Sequence, residues 1–357
     1  MIYGVIMAGG SGTRFWPQSR RNRPKQLLNL VGDKTMIRTT AERVLPVIPF
    51  ERLMVVTALS HADEIRSELP ELRDGMIVAE PQGKNTAPCI ALAAYKLFKT
   101  DPDGVMAVLP ADHLIGNSAA LLEALTAGAE FVSRGDYLLT FGIVPHRPET
   151  GYGYIQLGPA AASLGCTTVC RVERFVEKPD RATAEKYLAA GTYLWNSGMF
   201  VWRTEAILKA VRKHLPALDA VIEEILPALN TPDEAAALEE AYDKIDGVSV
   251  DYGVMEKASN VVCMPIDVEW NDVGTWTALE EVWSSDQGGN CTKGEVVLLG
   301  CKDCIVSSPH RLVTLIGLEE LVIVDTPDAL MVCRKDRSQD VKKLCELLAE
   351  RGYDHLL

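Results

Sequence analysis

Short apolar runs alternate with amphipathic stretches through the first half of the chain. The runs are the length of buried strands, and the stretches between them repeat apolar residues at helical spacing. The predicted strands cover residues 2–7, 53–57, 76–79, 105–109 and 138–144, and the predicted helices cover 35–45, 60–69, 86–98 and 118–133. This order of elements predicts βαβ units, and therefore an α/β fold with a doubly wound, mostly parallel sheet.

The pattern changes toward the C-terminus. Between 151 and 283, predicted strands at 169–176 and 193–202 mix with longer predicted helices at 204–214, 217–226 and 232–242. The glycine-containing segment 286–290 is typical of a linker, and short apolar runs broken by turns follow it. This rhythm predicts a small β-rich domain, a sandwich or solenoid, that ends in a helix at 338–350. The predicted domains are therefore 1–285 and 286–357.

The charge of the chain limits its partners. It has 357 residues, of which 49 are acidic and 36 are basic, so the formal net charge is −13. Such a surface repels nucleic acid backbones and anionic lipid, so we expect no nucleic acid partner and no membrane partner. An anionic substrate would require local Lys, Arg or a metal ion.

The termini and cysteines indicate a reducing compartment. The N-terminus has no signal-type pattern, and no run of about 18 apolar residues is present, so we expect a cytoplasmic protein without a membrane span. The nine cysteines are irregularly spread, as is usual for reduced thiols. The pairs Cys166/Cys170 and Cys301/Cys304 are far apart in sequence, so we interpret them as small apolar residues rather than a zinc site.

A glycine-rich loop, AGGSGTRFWP at 8–17, follows the first predicted strand directly. Three glycines after a strand allow backbone N–H groups to surround an anion. The loop lacks the Lys of a phosphate-binding Walker loop, and Phe15 stands where a dinucleotide fingerprint needs glycine. The second departure argues against an NAD-dependent dehydrogenase. An anion-binding loop and a purely structural turn both remain open.

Further motifs follow the loop in a fixed order. PKQ at 24–26 comes first. Then come EPQGKNTAP at 80–88, LPADH at 109–113, TGYGYI at 150–155, FVEKP at 175–179, WNSGMF at 195–200, DYGVMEK at 251–257 and WNDVGTW at 270–276. Together they resemble the bacterial mannose-1-phosphate guanylyltransferases, a family of sugar-nucleotide pyrophosphorylases, over residues 2 to about 285. Each motif alone is weak, but the ordered set is highly specific.

The resemblance implies a Rossmann-like nucleotidyltransferase domain, a short β-helical C-terminal domain and a homodimer. It also implies that GTP and mannose 1-phosphate react, with Mg²⁺, to give GDP-mannose and pyrophosphate. Many members carry a further isomerase domain, and since the chain ends at Leu357 we expect the short form with one activity. The alternatives are another hexose or heptose 1-phosphate, another nucleotide, or a regulator that binds nucleotide sugars without turnover.

Both reactants are anions, so the reaction needs backbone donors, cations and metal-binding carboxylates. Arg14 and Lys25 supply charge for the triphosphate, and Lys25 is positioned by Pro24 and the apolar residues after it. The resemblance and the loop chemistry together predict a nucleotide-binding set. Its members are Ala8, Gly9, Gly10, Ser11, Gly12, Thr13, Glu80, Asn85 and Thr86.

Asp112 and Asp272 are the predicted Mg²⁺ ligands. Asp112 ends a predicted strand, Asp272 lies in the turn at 271–274, and the carboxyl edge of a parallel sheet is where ligands bind. The alternatives are a turn or helix cap at Asp112 and an N-cap at Asp272.

The sugar-binding assignments come from the resemblance. It gives Lys178 the sugar phosphate and Glu177 the sugar hydroxyls, and we expect Pro179 to keep Lys178 extended. The alternative is an exposed charge pair at a strand end. The remaining candidates are Gly151 for close backbone approach, Asn196 and Asp251 for hydroxyls, and Lys257 for phosphate.

Glu80 is the predicted reader of the base. Guanine presents two adjacent donors, N1–H and the exocyclic amine, which one carboxylate can accept together. Glu80 follows a predicted strand and so lies at the carboxyl edge of the sheet. The alternative is a solvated loop carboxylate.

Overall fold

The computed structural model describes residues 1–10, 12–164 and 167–357, so Ser11 and Cys166 lie outside the described residues. The strands are β1 Ile2–Ala8, β2 Leu53–Ala58, β3 Ile77–Glu80, β4 Val105–Pro110, β5 Leu114–Ile115, β6 Leu138–Ile143, β7 Tyr154–Leu164, β8 Thr167–Val176, β9 Tyr193–Arg203, β10 Val261–Ile266, β11 Trp270–Asn271, β12 Cys291–Leu299, β13 Ile305–Ile316, β14 Leu321–Asp325 and β15 Leu330–Arg334. The α-helices are α1 Met36–Val44, α2 Ala62–Glu68, α3 Thr86–Thr100, α4 Ser118–Val132, α5 Arg181–Ala190, α6 Thr204–His214, α7 Pro216–Ile225, α8 Glu234–Lys244 and α9 Val341–Glu350.

The chain forms two compact units, each built from separated segments. The first unit comprises Met1–Gly9, Thr40–Ala111 and Ile115–Trp270. The second unit comprises Gly10–Thr39, Asp112–Leu114 and Asn271–Leu357. Most of the glycine loop and both candidate metal ligands therefore belong to the second unit. The boundary between 285 and 286 coincides with no junction of these units, and it stays a prediction.

The first unit is organised around a nine-stranded sheet in the order β3-β2-β1-β4-β9-β6-β10-β8-β7. Strands β3, β2, β1 and β4 are parallel, β6 is parallel to β10, and the antiparallel strand β9 separates the two groups. The register places Ala8 opposite Thr57, Glu80 opposite Ala58, and Pro110 opposite Met7. The glycine loop, Glu80 and the turn toward Asp112 therefore begin at one edge of the sheet, as the βαβ pattern predicts.

The core of the first unit lies against α3. Every residue of α3 from Ala87 to Leu97 is buried, and small side chains such as Ala91 and Ala94 let neighbouring elements approach its backbone closely. Strand β9 contributes Phe200 and Trp202, whose rings stack at 5.1 Å. Burial of this much apolar area stabilises the sheet edge that carries the candidate site.

The second unit contains a four-stranded sheet of parallel β12, β13 and β14 with antiparallel β15. Its main core joins this sheet to the glycine loop and to α9. Phe15 and Trp16 from the loop pack in one cluster with Trp276 and with Val341 and Cys345 of α9. In addition, the indole of Trp16 donates to the carbonyl of Leu356 at 2.8 Å. The loop therefore rests on the C-terminal helix of its own unit.

The eight cysteines in the described part of the chain are all free thiols. Cys301 and Cys304 are buried, which confirms their interpretation as small core residues, whereas Cys170 is half-buried. Among the described residues, no helix combines the length and the hydropathy that crossing a bilayer requires.

Candidate active site

The glycine loop passes directly over Lys25. Gly12 has a φ of 59°, in the left-handed region, and a Cβ at this position would lie 2.5 Å from the backbone nitrogen of Lys25. Only glycine satisfies both constraints. A short 3₁₀ helix, Thr13–Phe15, follows, and the N–H of Phe15 donates to the carbonyl of Gly12 at 3.0 Å.

The loop forms one wall of a cavity of about 320 Å³, which we call the loop cavity. The residues that line it all belong to the second unit. They are Gly12, Thr13, Arg14, Phe15, Lys25, Asp112, His113, Asp272, Gly274 and Lys342. The structure thus brings together the four charged residues that the sequence predicts for the triphosphate and the metal: Arg14, Lys25, Asp112 and Asp272.

Lys25 is the centre of this arrangement. Its side chain is only 7% exposed, and its ammonium donates to the carboxylate of Asp112 at 2.8 Å and to the backbone carbonyl of Asp272 at 2.6 Å. An ammonium has three donors, so one remains for a ligand. Burial raises the pKa of Asp112, but the nearby charges of Lys25 and His113 outweigh burial, and the net shift is downward. Asp112 is therefore held ionised.

The turn that carries Asp272 is strained. Val273 has a φ of 46°, which a β-branched residue adopts rarely and at a cost of about 1–3 kcal/mol. Its side chain is fully buried, and its N–H donates to the side chain of Asn271 at 2.7 Å. The N–H of Gly274 donates to the carboxylate of Asp272 at 3.0 Å. Packing and these hydrogen bonds hold Asp272 in a fixed conformation.

Glu80 is buried rather than solvated. It is the last residue of β3 and is 4% exposed, which rejects the alternative of a solvated loop carboxylate. The hydroxyl of Tyr242 donates to Oε1 at 2.8 Å. Burial raises the pKa of Glu80 to about 7, although the hydrogen bond from Tyr242 lowers it. A Cβ placed on Gly9 would lie 3.6 Å from Oε2, so the second oxygen faces the start of the glycine loop.

The other predicted nucleotide ligands in the first unit have structural contacts of their own. The carbonyl of Ala8 accepts from Thr57 at 3.1 Å. The side chain of Asn85 caps α3 by accepting from the N–H of Thr86, and the hydroxyl of Thr86 accepts from the N–H of Val250 at 2.9 Å. Of the remaining loop residues, Gly9 and Gly10 are exposed.

A second group of predicted residues meets in the first unit: Glu177, Asn196 and Asp251, which we call the acidic cluster. The amide nitrogen of Asn196 donates to Asp251 at 2.9 Å, and its amide oxygen accepts from Thr140 and from the N–H of Gly198, each at 3.2 Å. Of the four hydrogen bonds that a carboxamide can make, one donor remains for a ligand. Asn196 therefore orients Asp251 as well as offering a contact.

The two carboxylates of the acidic cluster oppose each other's ionisation. Burial raises the pKa of Asp251 to about 6, and the charge of Glu177 adds to this effect against the hydrogen bond from Asn196. The side chain of Glu177 is 9% exposed. Its Oε2 is buried and has no hydrogen-bond partner among the described residues. An unsatisfied buried acceptor costs about 1–3 kcal/mol, so this oxygen is suited to a ligand donor.

Gly153, which is not among the residues predicted from the sequence, makes room for Glu177. A Cβ on Gly153 would lie 2.4 Å from Oε2 of Glu177, and the carbonyl of Gly153 accepts from the N–H of Asn196 at 2.8 Å. The predicted glycine, Gly151, is exposed and donates its N–H to Glu149 at 3.0 Å. The alternation of glycine and tyrosine within the motif at 150–155 indicates that a side chain is not tolerated at Gly151 or Gly153. It does not show which of these two glycines is the one required.

The two predicted lysines of the sugar site differ. Lys178 pairs with Glu177 while remaining 59% exposed. Its φ is 46°, so the expectation of an extended residue before Pro179 was wrong, since proline disfavours helix at the preceding residue but does not set the sign of φ. Lys257 is exposed, and no hydrogen bond or ion pair within the described residues joins it to the acidic cluster. Its positive charge instead affects His214. Burial lowers the pKa of His214, and the charges of Lys213 and Lys257 lower it further.

The loop cavity fits a divalent cation only with help from a ligand. Among the described residues, no group of three or more His, Cys, Asp or Glu side chains is arranged to hold a metal. Asp112 and Asp272 supply two carboxylates in one cavity. Mg²⁺ is commonly bound by one or two carboxylates together with substrate phosphates and water, so this donor set suits it.

Comparison with known proteins matches both parts of the chain. The nucleotidyl transferase family matches residues 3–288, and the mannose-phosphate isomerase/GMP-like β-helix domain matches residues 294–348. The mannose-1-phosphate guanylyltransferase of Klebsiella pneumoniae is 42% identical over 98% of this chain and 74% of its own length. The chain belongs to the mannose-1-phosphate guanylyltransferase family. The same family resemblance was expected from the ordered motifs, and it is confirmed.

Further relatives agree with this membership. The alginate biosynthesis protein AlgA of Pseudomonas aeruginosa is 41% identical over 98% of this chain and 72% of its own length. A crystal structure from Thermus thermophilus, described as a mannose-1-phosphate geranyltransferase, superposes with a TM-score of 0.88 at 35% identity, covering 98% of this chain and 99% of that one. The predicted α/β nucleotidyltransferase fold with a β-helix-like C-terminal part is therefore confirmed.

Proposed function

We propose that this member of the family transfers GMP from GTP to mannose 1-phosphate, giving GDP-mannose and pyrophosphate. A phosphate oxygen of the sugar attacks the α-phosphorus in line, and the bond to the pyrophosphate oxygen breaks. The sugar phosphate is ionised at neutral pH, so the reaction needs no general base. The proposal rests on the hydrogen bonds that Lys25 donates, inside the loop cavity, to the carboxylate of Asp112 and to the backbone carbonyl of Asp272.

In this mechanism the loop cavity binds the triphosphate. The N–H groups of the glycine loop and the side chains of Arg14 and Lys25 offset the charge that accumulates on the leaving pyrophosphate. Because Lys25 is already oriented by two acceptors, it loses little freedom when it binds phosphate. Asp112 and Asp272 would hold Mg²⁺, which neutralises phosphate charge when bound.

The acidic cluster binds the sugar in this proposal. Hydroxyl groups are donors, and the buried acceptor on Glu177 together with Asp251 provides the acceptors that such donors need. Lys178, exposed beside Glu177, takes the sugar phosphate. Glu80 reads guanine in this proposal: its Oε2 is directed toward Gly9, and its carboxylate accepts the base's adjacent donors.

Pyrophosphate release, measured across the four nucleoside triphosphates and several hexose and heptose 1-phosphates, tests the proposal. We expect the highest efficiency with GTP and mannose 1-phosphate, and loss of activity with EDTA. If another nucleotide or another sugar 1-phosphate were preferred, the protein would still be a nucleotidyltransferase, but the proposed substrates would be wrong. No release with any pair would favour a regulator without turnover.

We also propose a cytoplasmic homodimer that forms through the second unit. One face of the β12–β13 pair exposes four large apolar side chains, Val297, Leu299, Leu312 and Ile316, each more than half exposed. Contiguous apolar patches of this kind are typical of interfaces. Charged substitution at Leu312 and Ile316 should give a monomer in analytical ultracentrifugation, and an unchanged mass would reject this face. The free thiols support a reducing compartment.

A further inference from the structure

Lys342, in the first turn of α9, lines the loop cavity together with Arg14 and Lys25. Lys25 is committed to Asp112 and to the carbonyl of Asp272. In the described part of the chain, the side chains of Arg14 and Lys342 make no hydrogen bond or ion pair. The lining cations without a partner among the described residues are therefore those two, while Lys25 keeps one donor for a ligand, and Lys342 comes from the C-terminal helix.

The charge balance of the cavity depends on Lys342. Among the Lys, Arg and acidic side chains of the lining, Arg14 and Lys25 are matched by the two carboxylates, Asp112 and Asp272. Lys342 adds a surplus positive charge to that of His113, inside a chain whose net charge is −13. A triphosphate carries several negative charges, so this surplus determines whether the cavity attracts it.

The position of Lys342 is electrostatically unfavourable without a ligand. The N-terminal end of a helix carries partial positive charge, which disfavours a cation in the first turn. Lys343, in the same turn, is compensated by Asp340 at 2.8 Å. Lys342 is exposed and lines the loop cavity as well as a neighbouring cavity along α9, and α9 is fixed there because Val341 and Cys345 are buried in the core that contains Phe15. A cation in the first turn of a helix breaks a local electrostatic preference, and such a departure in a rigid part of the fold indicates a functional role for Lys342.

We propose that Lys342 is a phosphate-binding residue that contacts the pyrophosphate portion of the nucleotide. This inference rests on the proposed function, since it assigns the loop cavity to the triphosphate. The β-helix part of the chain then contributes a side chain to phosphate binding in addition to any role in assembly.

Binding of inorganic pyrophosphate, measured by isothermal titration calorimetry, tests the proposal. We compare the unchanged protein with Lys342→Gln, with Lys342→Arg, and with Lys343→Gln as the matched control from the same helical turn. Lys342→Gln should weaken binding about tenfold, as expected for loss of a charge-assisted contact. Lys342→Arg should keep most of the affinity, and Lys343→Gln should stay within about twofold of the unchanged protein. In kinetics, Lys342→Gln should raise KM for GTP and leave KM for mannose 1-phosphate unchanged.

Equal pyrophosphate affinity in Lys342→Gln and in the unchanged protein would overturn the proposal. An equal loss in Lys343→Gln would also overturn it, because the effect would then be a general one of surface charge. Matching thermal unfolding midpoints establish that the variants are folded, and Lys342→Met replaces the Gln variant if that one is not. Failure of the proposed function shows separately, as absence of GTP-dependent pyrophosphate release in the unchanged protein.

Discussion

The loop cavity and the acidic cluster solve opposite electrostatic problems. In the loop cavity, Lys25 lies between Asp112 and the carbonyl of Asp272, so the charges of Lys25 and Asp112 are paired before any ligand binds. In the acidic cluster, Glu177 and Asp251 raise the cost of each other's ionisation, and one oxygen of Glu177 has no partner among the described residues. The cavity is preorganised for anions, whereas the cluster is suited to hydroxyl donors from a ligand.

The difference shows why pKa direction separates the two kinds of site. The pKa of Asp112 is lowered because nearby cations outweigh its burial. Such a carboxylate stays charged and can therefore bind a metal. Asp251 has a raised pKa because burial and a like charge act in the same direction. Substitution of the metal-binding carboxylates in the cavity should therefore affect turnover, and substitution of the carboxylates in the cluster should affect substrate affinity.

The largest expected effect is in the loop cavity. Asp112→Asn and Asp272→Asn should each lower turnover by a factor on the order of 10² or more, because each removes a carboxylate charge that would hold Mg²⁺, and Asp112→Asn also removes the charge that orients Lys25. Steady-state kinetics at saturating Mg²⁺ measure this. Near-full activity of Asp112→Asn would show that its carboxylate does not bind the metal.

Glu80 should have the next largest effect, on base recognition. Glu80→Gln places an amine against a guanine donor, a buried mismatch of about 1–3 kcal/mol, so efficiency with GTP should fall roughly ten- to a hundredfold. ITP lacks the exocyclic amine and should lose less. Equal losses for the two nucleotides would mean that Glu80 does not contact that amine.

Substitution of Lys178 should act on sugar-phosphate binding in the first unit. Lys178→Ala should raise KM for mannose 1-phosphate several-fold, up to about tenfold, and change KM for GTP less, because an exposed lysine gives a modest charge-assisted contact. Lys25→Ala should mainly lower turnover. If Lys178→Ala affected GTP more than the sugar phosphate, this lysine would belong to the triphosphate instead.

The smallest effect concerns pH and stability. The pKa of Asp251 is raised from its ordinary 3.8 to about 6, so its stabilising contribution is complete below the ordinary value and is lost as pH rises through about 6. Glu177→Gln removes a like charge and should lower this pKa, which reduces the loss by about 1.4 kcal/mol for each pKa unit. Urea unfolding at several pH values between about 4 and 7 measures it. An unchanged profile would show that the two carboxylates do not interact.

Periodicity and local chemistry made much of the protein predictable. Strand and helix patterns identified the βαβ elements, and the edge position of Asp112 followed from the end of β4 at Pro110. A fixed position for Lys25 was predicted from Pro24 and the apolar residues after it, because flanking residues restrict a short segment directly, whereas its burial became visible only in the structure. Glycine at position 12 was visible, although its reason, the close approach to Lys25, was not.

The sequence by itself determined the fold class, the family and most candidate ligands, because these depend on local periodicity and on ordered motifs. Tertiary structure alone decided that Tyr242 buries and binds Glu80, that Gly153 rather than Gly151 makes room for Glu177, and that Lys342 lines the loop cavity. Each of these contacts joins residues from separate elements of the chain. No local pattern encodes such a pairing, since it results from how whole elements pack, and burial and neighbouring charge then set the pKa of each group.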